Sequence, residues 1–583
     1  MKIKQLSLAV AAALLAGCGS DSDGSGETTT YEAPSVLSAI ETPISVTIED
    51  QDGQLLNATV TLIGDDASYV VETGSGEADS DDEYDAPDGL LLLTGQNIPD
   101  GVSSLSLKMV VSAPGYFSSS SDVAVDVDDN FSTTIVLASK NIDSTTVAIK
   151  SVSQEFETDD SGTVLETLTL TTEAADSDDE NFAAMAGGSA TVTIPSNTIV
   201  TDADGNPVTG TLTAAVNYFS NEPEGSGEAT TSSLAAFPGG LDVETYIDEN
   251  GDEVDADFSF ASAGFVAIEI SNEDGDVVKN FSNPTTISMQ VPAATVNPDT
   301  GAVIATDDTI PMWSYDELTG QWSLEGTATV GALDSDTNTY TVSMDVDHLS
   351  YWNLDWYGAR CSNNPLQISV LNSIGGQNSS PLAMKLQRSG YSKYRSSGYW
   401  GDNSQLTIYN PPNFSDLNIE FFVDGQSALT HVNGVSVGSD NTYTGSICDL
   451  HNGTITVDVA EPDYVEVDIA NRTVCEQDTS IATQQPGYIY IRELGTSYYN
   501  AYRYWGYTQA DSQLVQNLKQ ETDYYVYSYV YGQGYRSFTH TTGNAATESL
   551  NIDYPVTCEI AEEEVPTGSS SGSSGGDSGN TGA

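Results

Sequence analysis

One tripeptide in this chain, His348-Leu349-Ser350, places a nucleophile two residues after a base. A serine hydroxyl can attack the carbonyl of the preceding residue in an N-to-O acyl shift, while a histidine assists proton transfer; the resulting ester then hydrolyses. The segment could therefore support cleavage of the chain between Leu349 and Ser350. The alternative is structural, with His348 hydrogen-bonded locally and Leu349 packed inward on a strand, because three-residue matches arise easily by chance.

Two stretches toward the C-terminus repeat the same content, which indicates an internal duplication. Each begins and ends with a cysteine and carries a Tyr-Trp-Gly tripeptide followed by Ser-Gln-Leu, at similar spacing. The repeated features are Cys361, Tyr399-Trp400-Gly401, Ser404-Gln405-Leu406 and Cys448, and then Cys475, Tyr504-Trp505-Gly506, Ser512-Gln513-Leu514 and Cys558.

These four cysteines allow three disulfide pairings, and the duplication favours Cys361–Cys448 and Cys475–Cys558. Each bridge would join the start of one repeat to its end, in a compartment that permits disulfides. Zinc binding is the alternative, but the chain has no Cys-x-x-Cys motif and its histidines do not cluster. We therefore expect two disulfides and no metal centre.

Tyrosine is concentrated in the second repeat, where it alternates with aliphatic residues. A period of two places Tyr525, Tyr527, Tyr529 and Tyr531 on one strand face, with Val526 and Val530 on the other. The segment with Tyr488 and Tyr490 follows the same scheme, and Arg492 and Arg503 lie nearby. Such a surface could stack on sugar rings or dock a protein. The alternative is that tyrosine is present only for its high strand propensity.

Other enzyme motifs do not fit their required context. Gly568-Ser569-Ser570-Ser571-Gly572 matches a nucleophile elbow, but it lies in a Gly/Ser-rich tail without the strand and helix that would strain the serine. The run Asp248–Asp252 has calcium-loop oxygens but not the glycine position of an EF-hand. We expect a non-catalytic protein without a cofactor; calcium binding by the acidic insert Asp79–Asp88 remains an open alternative to a solvated loop.

The composition is strongly acidic, with a formal net charge of −70 from 86 acidic and 16 basic residues. This charge argues against nucleic acid as a partner, since phosphates attract Lys and Arg. It also argues against polybasic attachment to anionic lipid. It fits surroundings rich in salt or divalent cations, where self-repulsion is screened.

The N-terminus has a short basic start, an apolar run at Leu6–Leu15 that is too short to span a bilayer, and then Leu15-Ala16-Gly17-Cys18. This segment resembles a bacterial lipoprotein signal. The resemblance implies removal of residues 1–17, lipidation of Cys18 and anchoring in the membrane, and Gly19 after the cysteine favours the outer membrane. Residues 18–35 are expected to form a flexible tether.

Short alternating apolar runs separated by Asp/Asn/Gly turns predict an all-β chain of tandem Ig-like or transthyretin-like β-sandwich modules. Residues 36–140 resemble a carboxypeptidase-regulatory-like module, through Val110–Tyr116 and Thr134–Leu137. Residues 361–474 and 475–560 resemble the same transthyretin-like family. Residues 561–583 are expected to be an unfolded tail.

Residues 145–357 are similar to ZU5/UPA-type β-sandwiches, through a segment starting at Gly187 and a closing segment with Trp313, Trp322 and Trp352. That family includes self-cleaving members cut at His-[Leu/Phe]-[Ser/Thr], and His348-Leu349-Ser350 falls at the corresponding end of the unit. The resemblance therefore strengthens the cleavage hypothesis.

Together these observations predict a lipid-anchored adhesion or binding protein of the cell surface, with a glycan or a surface protein as partner. The alternative is a self-cleaving receptor or precursor. A glycan-degrading enzyme is the third class, and no constellation of residues supports it.

Overall fold

The computed structural model describes residues 31–37, 42–72, 83–127, 131–141, 149–172, 188–221, 232–374, 376, 382–396, 404–423, 426–458, 464–495, 503–510 and 513–560. The signal segment, Cys18, Trp400, residues 79–82 and the C-terminal tail lie outside these residues. Nearly all regular structure is strand, which confirms the all-β prediction of tandem β-sandwich modules. Within the described ranges, no helix is long and apolar enough to cross a bilayer.

The first module is a sandwich of two four-stranded sheets around one apolar core. Its strands are β1 Pro43–Asp50, β2 Ala58–Ile63, β3 Val70–Glu72, β4 Glu83–Ala86, β5 Leu90–Gly95, β6 Ser104–Ser112, β7 Ser119–Asp126 and β8 Phe131–Leu137. The sheet orders are β3-β5-β1-β8 and β4-β2-β6-β7. In β2 the side chains alternate between buried and half-buried, as expected for a strand with one face on the core.

The second module is built on a single 12-stranded sheet. Its strands are β9 Ile149–Thr158, β10 Leu168–Thr171, β11 Ala190–Ile194, β12 Val200–Thr201, β13 Gly210–Phe219, β14 Asp242–Ile247, β15 Glu253–Asn272, β16 Asn280–Pro292, β17 Thr309–Asp316, β18 Gln321–Asp334, β19 Thr339–His348 and β20 Tyr351–Ala359. The order is β10-β11-β16-β19-β18-β17-β20-β15-β13-β9, with β12 on β16. Strand β14 pairs with both β15 and β18, so β14, β15, β20, β17 and β18 form a closed circuit around buried aromatic rings.

The third module again has two sheets. Its strands are β21 Leu366–Asn372, β22 Leu382–Arg388, β23 Tyr391–Ser396, β24 Gln405–Ile408, β25 Leu417–Val423, β26 Gln426–Ser427, β27 Leu429–Val432, β28 Val435–Ser436, β29 Thr442–Gly445 and β30 Gly453–Val457. The orders are β24-β21-β30-β27-β28 and β23-β22-β25-β26, with β29 on β25.

The last module also has two sheets. Its strands are β31 Tyr464–Cys475, β32 Ala482–Gln485, β33 Gly487–Glu493, β34 Arg503–Thr508, β35 Leu514–Lys519, β36 Asp523–Val530, β37 Gly534–Thr541 and β38 Thr547–Val556. One sheet has the order β32-β31-β35 with β38 on β31, and the other has the order β34-β33-β36-β37. Single-turn 3-10 helices lie at Ala67–Tyr69, Pro87–Gly89, Ser233–Ala236 and Ile447–Leu450.

The first, third and last modules share one pairing scheme. The opening strand pairs with β5 and β8, with β24 and β30, or with β35 and β38 respectively. In the next sheet, β2 pairs with β4 and β6, β22 with β23 and β25, and β33 with β34 and β36. The matching scheme in the third and last modules is what an internal duplication produces, and the first module follows it as well.

The chain forms two compact units. The larger consists of residues 36–471 and 484–552. The smaller consists of residues 1–35, 472–483 and 553–583. In its described part, the Glu32 N–H donates to the Glu559 carbonyl at 2.8 Å, and Cys475 is bonded to Cys558.

Candidate functional site

The tyrosine-bearing face of the last module was predicted to be open to a ligand, and the structure instead buries its centre. Strand β36 alternates as predicted, since Val526 and Val530 are fully buried on the inner side. On the opposite side, Tyr488, Tyr490 and Tyr527 are 1%, 1% and 4% exposed. They form a cluster with Trp505 and with the first-module residues Leu90 and Leu92. The first module therefore covers the centre of the predicted ligand-binding face, and ligand binding by the rest of that face stays a prediction.

Polar contacts fix this packing. The Tyr488 hydroxyl donates to the Leu93 carbonyl at 2.8 Å, and Trp505 Nε1 donates to Thr47 Oγ1 at 3.1 Å. Arg492 donates to the Gly53 carbonyl at 3.4 Å. We call this contact between the tyrosine face and strands β1 and β5 the joint. The Tyr488 hydroxyl and the Trp505 indole N–H have specific acceptors, so the joint is more than apolar contact.

The joint also explains why β1 is buried along its whole length. Ile44, Val46 and Ile48 face the core of the first module. The polar alternates Ser45, Thr47 and Glu49 point the other way, and they are 4%, 1% and 0% exposed. Such alternation normally marks a strand with one face in water. Here the last module, not water, covers the polar face of β1.

Glu49 is the titratable group at the centre of these contacts. Its Oε2 lies 3.5 Å from the Arg503 guanidinium, and its Oε1 has no hydrogen-bond partner among the described residues. Burial raises the pKa of Glu49 to about 7 despite the opposing charges of Arg503 and Arg492. Arg503, predicted as a ligand contact, thus faces a carboxylate of its own chain.

The edge of the tyrosine face remains open. Tyr531 and Tyr535 are 40% and 54% exposed, and Tyr525 and Tyr529 are half-buried. The Tyr535 ring stacks on Tyr527 with centroids 5.9 Å apart and an interplanar angle of 16°. We call Tyr525, Tyr529, Tyr531 and Tyr535 the rim. Because Tyr527 is held in the joint, the exposed Tyr535 ring rests on a fixed partner.

Tyr535 and the first-module half of the joint were missed from the sequence. The run Leu90–Leu93 offered a signal, since four consecutive apolar residues in one strand indicate burial on both faces. Nothing in the sequence identified the partner of that second face.

The tripeptide His348-Leu349-Ser350 joins β19 to β20. Leu349 and Ser350 are buried, as the structural alternative supposed for the leucine. Ser350 Oγ accepts from the Tyr315 N–H at 2.8 Å and donates to the Tyr315 carbonyl. His348 Nδ1 lies 3.2 Å from Asp347 Oδ1, and its ring packs on Trp352. The serine proton is therefore directed at Tyr315 rather than at His348.

The cysteines pair as predicted, Cys361 with Cys448 and Cys475 with Cys558, with Cα–Cα distances of 5.4 Å in both. Asp248, in the predicted calcium-like run, accepts from the N–H groups of Asn250 and Asp252 in a tight turn. Among the residues described here, no group of His, Cys, Asp or Glu is placed to hold a metal ion.

Comparison with known proteins gives no family. No family model matches the chain, and no curated protein matches it. Among solved structures, it is similar to the Bacillus anthracis TIE protein at 10% identity and a TM-score of 0.13, over 67% of this chain and 58% of that one. A streptococcal ancillary pilin aligns at 10% identity over 44% of this chain and 94% of its own, with a TM-score of 0.14. A C-terminal fragment of the Lactobacillus rhamnosus GG pilus adhesin SpaC aligns at 7% identity over 34% and 100%, with a TM-score of 0.12. At such TM-scores these likenesses carry no argument about this chain.

Proposed function

We propose that this chain is a non-catalytic adhesion or binding protein of the cell surface, anchored through a lipidated Cys18 in the outer membrane. The lipoprotein-like start and the acidic tether support the anchor. Tandem β-sandwich modules with two disulfides support an exported binding protein. Replacing Cys18 with Ala should move the protein from the membrane fraction to the soluble fraction. Retention of the variant in the outer membrane would overturn the anchor.

The rim is the surface that we assign to partner binding, with polysaccharide as the first candidate and a surface protein as the second. The single observation behind this assignment is the exposed Tyr535 ring, stacked on a partner held in place by the joint. A fixed aromatic face suits stacking on the apolar side of a sugar ring, because little side-chain freedom is lost on binding. Tyr531 adds a second exposed hydroxyl-bearing ring.

The test is binding of the full chain to immobilised surface polysaccharide and to whole cells. Tyr535→Ala and Tyr531→Ala should each weaken binding about twofold to twelvefold, because a stacked aromatic contact contributes roughly 0.5–1.5 kcal/mol. Tyr409→Ala is the matched control, since Tyr409 is 59% exposed in the third module. Equal binding by all three variants would exclude the rim.

Self-cleavage at Leu349/Ser350 is the second candidate function. It is favoured by the place of the tripeptide, at the bend where β19 ends and β20 begins. It requires Ser350 Oγ to leave Tyr315 and approach the Leu349 carbonyl. A denaturing intact mass decides it: fragments ending at Leu349 and beginning at Ser350, absent from Ser350→Ala, would establish cleavage. One full-length mass would exclude it.

A further inference from the structure

The joint buries a face of β1 that is chemically suited to water. Ser45, Thr47 and Glu49 are its side chains, and Trp505 and Arg503 of the last module contact Thr47 and Glu49. The apolar cluster at the joint is small, with six buried residues from both modules, and it is separate from the larger core of the first module. Small, partly polar contacts between folded modules can open while each module stays folded, because little apolar surface holds them closed.

The carboxyl group of Glu49 makes that contact sensitive to protons. It is 0% exposed, and although Oε2 lies 3.5 Å from Arg503, Oε1 is unpartnered among the described residues, so the charged form lacks at Oε1 the hydrogen bonds that water would supply. We propose that the joint is an acid-favoured clasp, closed when Glu49 is protonated and opening to uncover the tyrosine face when Glu49 loses its proton. The proposal does not depend on which ligand the rim takes.

The charges around Glu49 come from three directions. Arg503 on β34 and Arg492 on β33 favour its ionised form, and Asp50 beside it on β1 disfavours that form. The neighbouring strands β5 and β8 carry no charged residue. Desolvation outweighs the two arginines, and the pKa in the closed joint is about 7 against an ordinary value of 4.5.

The direction of the pH dependence follows from these two pKa values of Glu49. Below pH 4.5 the carboxyl is protonated whether the joint is open or closed, and the clasp has its full stability. As the pH rises toward 7, only the open form releases the proton, so the population of the closed form falls relative to that of the open form. Between pH 5 and pH 8 the ratio of open to closed molecules should rise on the order of a hundredfold.

Hydroxyl-radical footprinting of the full chain tests this directly, because oxidation of tyrosine and tryptophan reports side-chain exposure. In the wild type, oxidation of Trp505 and Tyr490 should rise with the open fraction from pH 5 to pH 8. Trp313 and Tyr351, buried in the second module, serve as internal references. Glu49→Gln carries no charge and should hold oxidation at the low, pH 5 level throughout. Leu92→Asp should open the joint at both pH values and set the upper level.

Asp355→Asn is the matched control. Asp355 is also fully buried with its pKa raised to about 7, but it lies on β20 of the second module. This variant should keep the wild-type rise in Trp505 oxidation. Flat oxidation in the wild type, a rise that persists in Glu49→Gln, or a Leu92→Asp variant as protected as the wild type would each overturn the clasp.

Discussion

Individual residues in this chain take their chemistry from burial more than from type. Of its many carboxylates, Glu49 and Asp355 are fully buried, and in both burial raises the pKa to about 7. Asp355 receives a hydrogen bond from Asn353 Nδ2 at 3.1 Å, and its Oδ1 has no partner among the described residues. Ionising such a buried group in the native state costs more free energy than ionising the same group in the unfolded state, where water solvates it.

Asp355→Asn should therefore stabilise the second module at high pH. The folded-state pKa lies above the ordinary 3.8, so the stabilising contribution is complete below that value and is lost as the pH rises to about 7. At pH 8 the variant should gain roughly 4 kcal/mol, and at pH 4 it should nearly match the wild type. Urea unfolding followed by tryptophan fluorescence measures this, since Trp313, Trp322, Trp352 and Trp356 all lie in this module.

The control for this experiment is Glu273→Gln, an exposed carboxylate in a turn of the same module. It should leave the difference between pH 4 and pH 8 unchanged. A destabilised Asp355→Asn at pH 8 would mean that the carboxylate is needed in its charged form.

Among the structural elements, the turn between β22 and β23 docks backbone to backbone on the second module. The Gly390 N–H donates to the Asn221 carbonyl and the Ser262 N–H donates to the Gly390 carbonyl, both at 2.8 Å. Gly390 has φ 79°, and a Cβ there would collide with the backbone of Ser262. The third module therefore needs glycine at this position for two separate reasons.

Gly390→Ala should destabilise the protein by more than Gly434→Ala, which separates those reasons. Gly434 has φ 78° with nothing within 4 Å of an added Cβ, so alanine there meets only the left-handed backbone cost of about 1 kcal/mol. Gly390→Ala should add the cost of the clash and of two displaced hydrogen bonds, for a total of about 3 kcal/mol. Urea midpoints of the two variants measure the difference. Equal midpoints would show that the turn does not bear on the second module.

The disulfides act at the level of whole modules, because each closes a long loop. The sequence separations are 87 and 83 residues. Replacing Cys361 and Cys448 together with Ser should lower the unfolding free energy of the third module by about 4 kcal/mol, through the entropy gained by the unfolded loop. Chemical denaturation under non-reducing conditions measures it. An unchanged midpoint would show that the core alone sets this stability.

At the scale of the molecule, the last module packs on the first. Its tyrosine face contacts strands β1 and β5. This closure changes what cleavage at Leu349 would do. No disulfide crosses the site, but β20 is hydrogen-bonded between β15 and β17 in the centre of the second-module sheet.

If the chain is cut at Leu349/Ser350, the two fragments should stay together under native conditions. Removing β20 would break both of its ladders and expose Trp352, Leu354 and Trp356, which are 2%, 0% and 4% exposed. Native mass spectrometry should therefore give the full mass where denaturing mass spectrometry gives two fragments. Spontaneous separation at neutral pH without denaturant would contradict this expectation.

The sequence by itself determined the local features: the all-β class, the two disulfide pairs, the shared content of the third and last modules, and the alternation that places tyrosines on one strand face. The β class and the tyrosine alternation follow from the period of two along a strand. The disulfide pairs and the shared content follow from repeated spacing. The rim residue Tyr535 lacked such a signal, since a turn separates it from the alternating run.

Only the tertiary structure decided what the tyrosine face meets. Its partner strands β1 and β5 lie some four hundred residues earlier, and the contacts Trp505–Thr47 and Tyr488–Leu93 span separations of 458 and 395 residues. Periodicity assigns a side chain to a face but cannot say whether water or another module covers that face. The same limit hid Glu49, because SVTIED has the alternation of a half-exposed strand, and the docked last module is what buries its carboxylate.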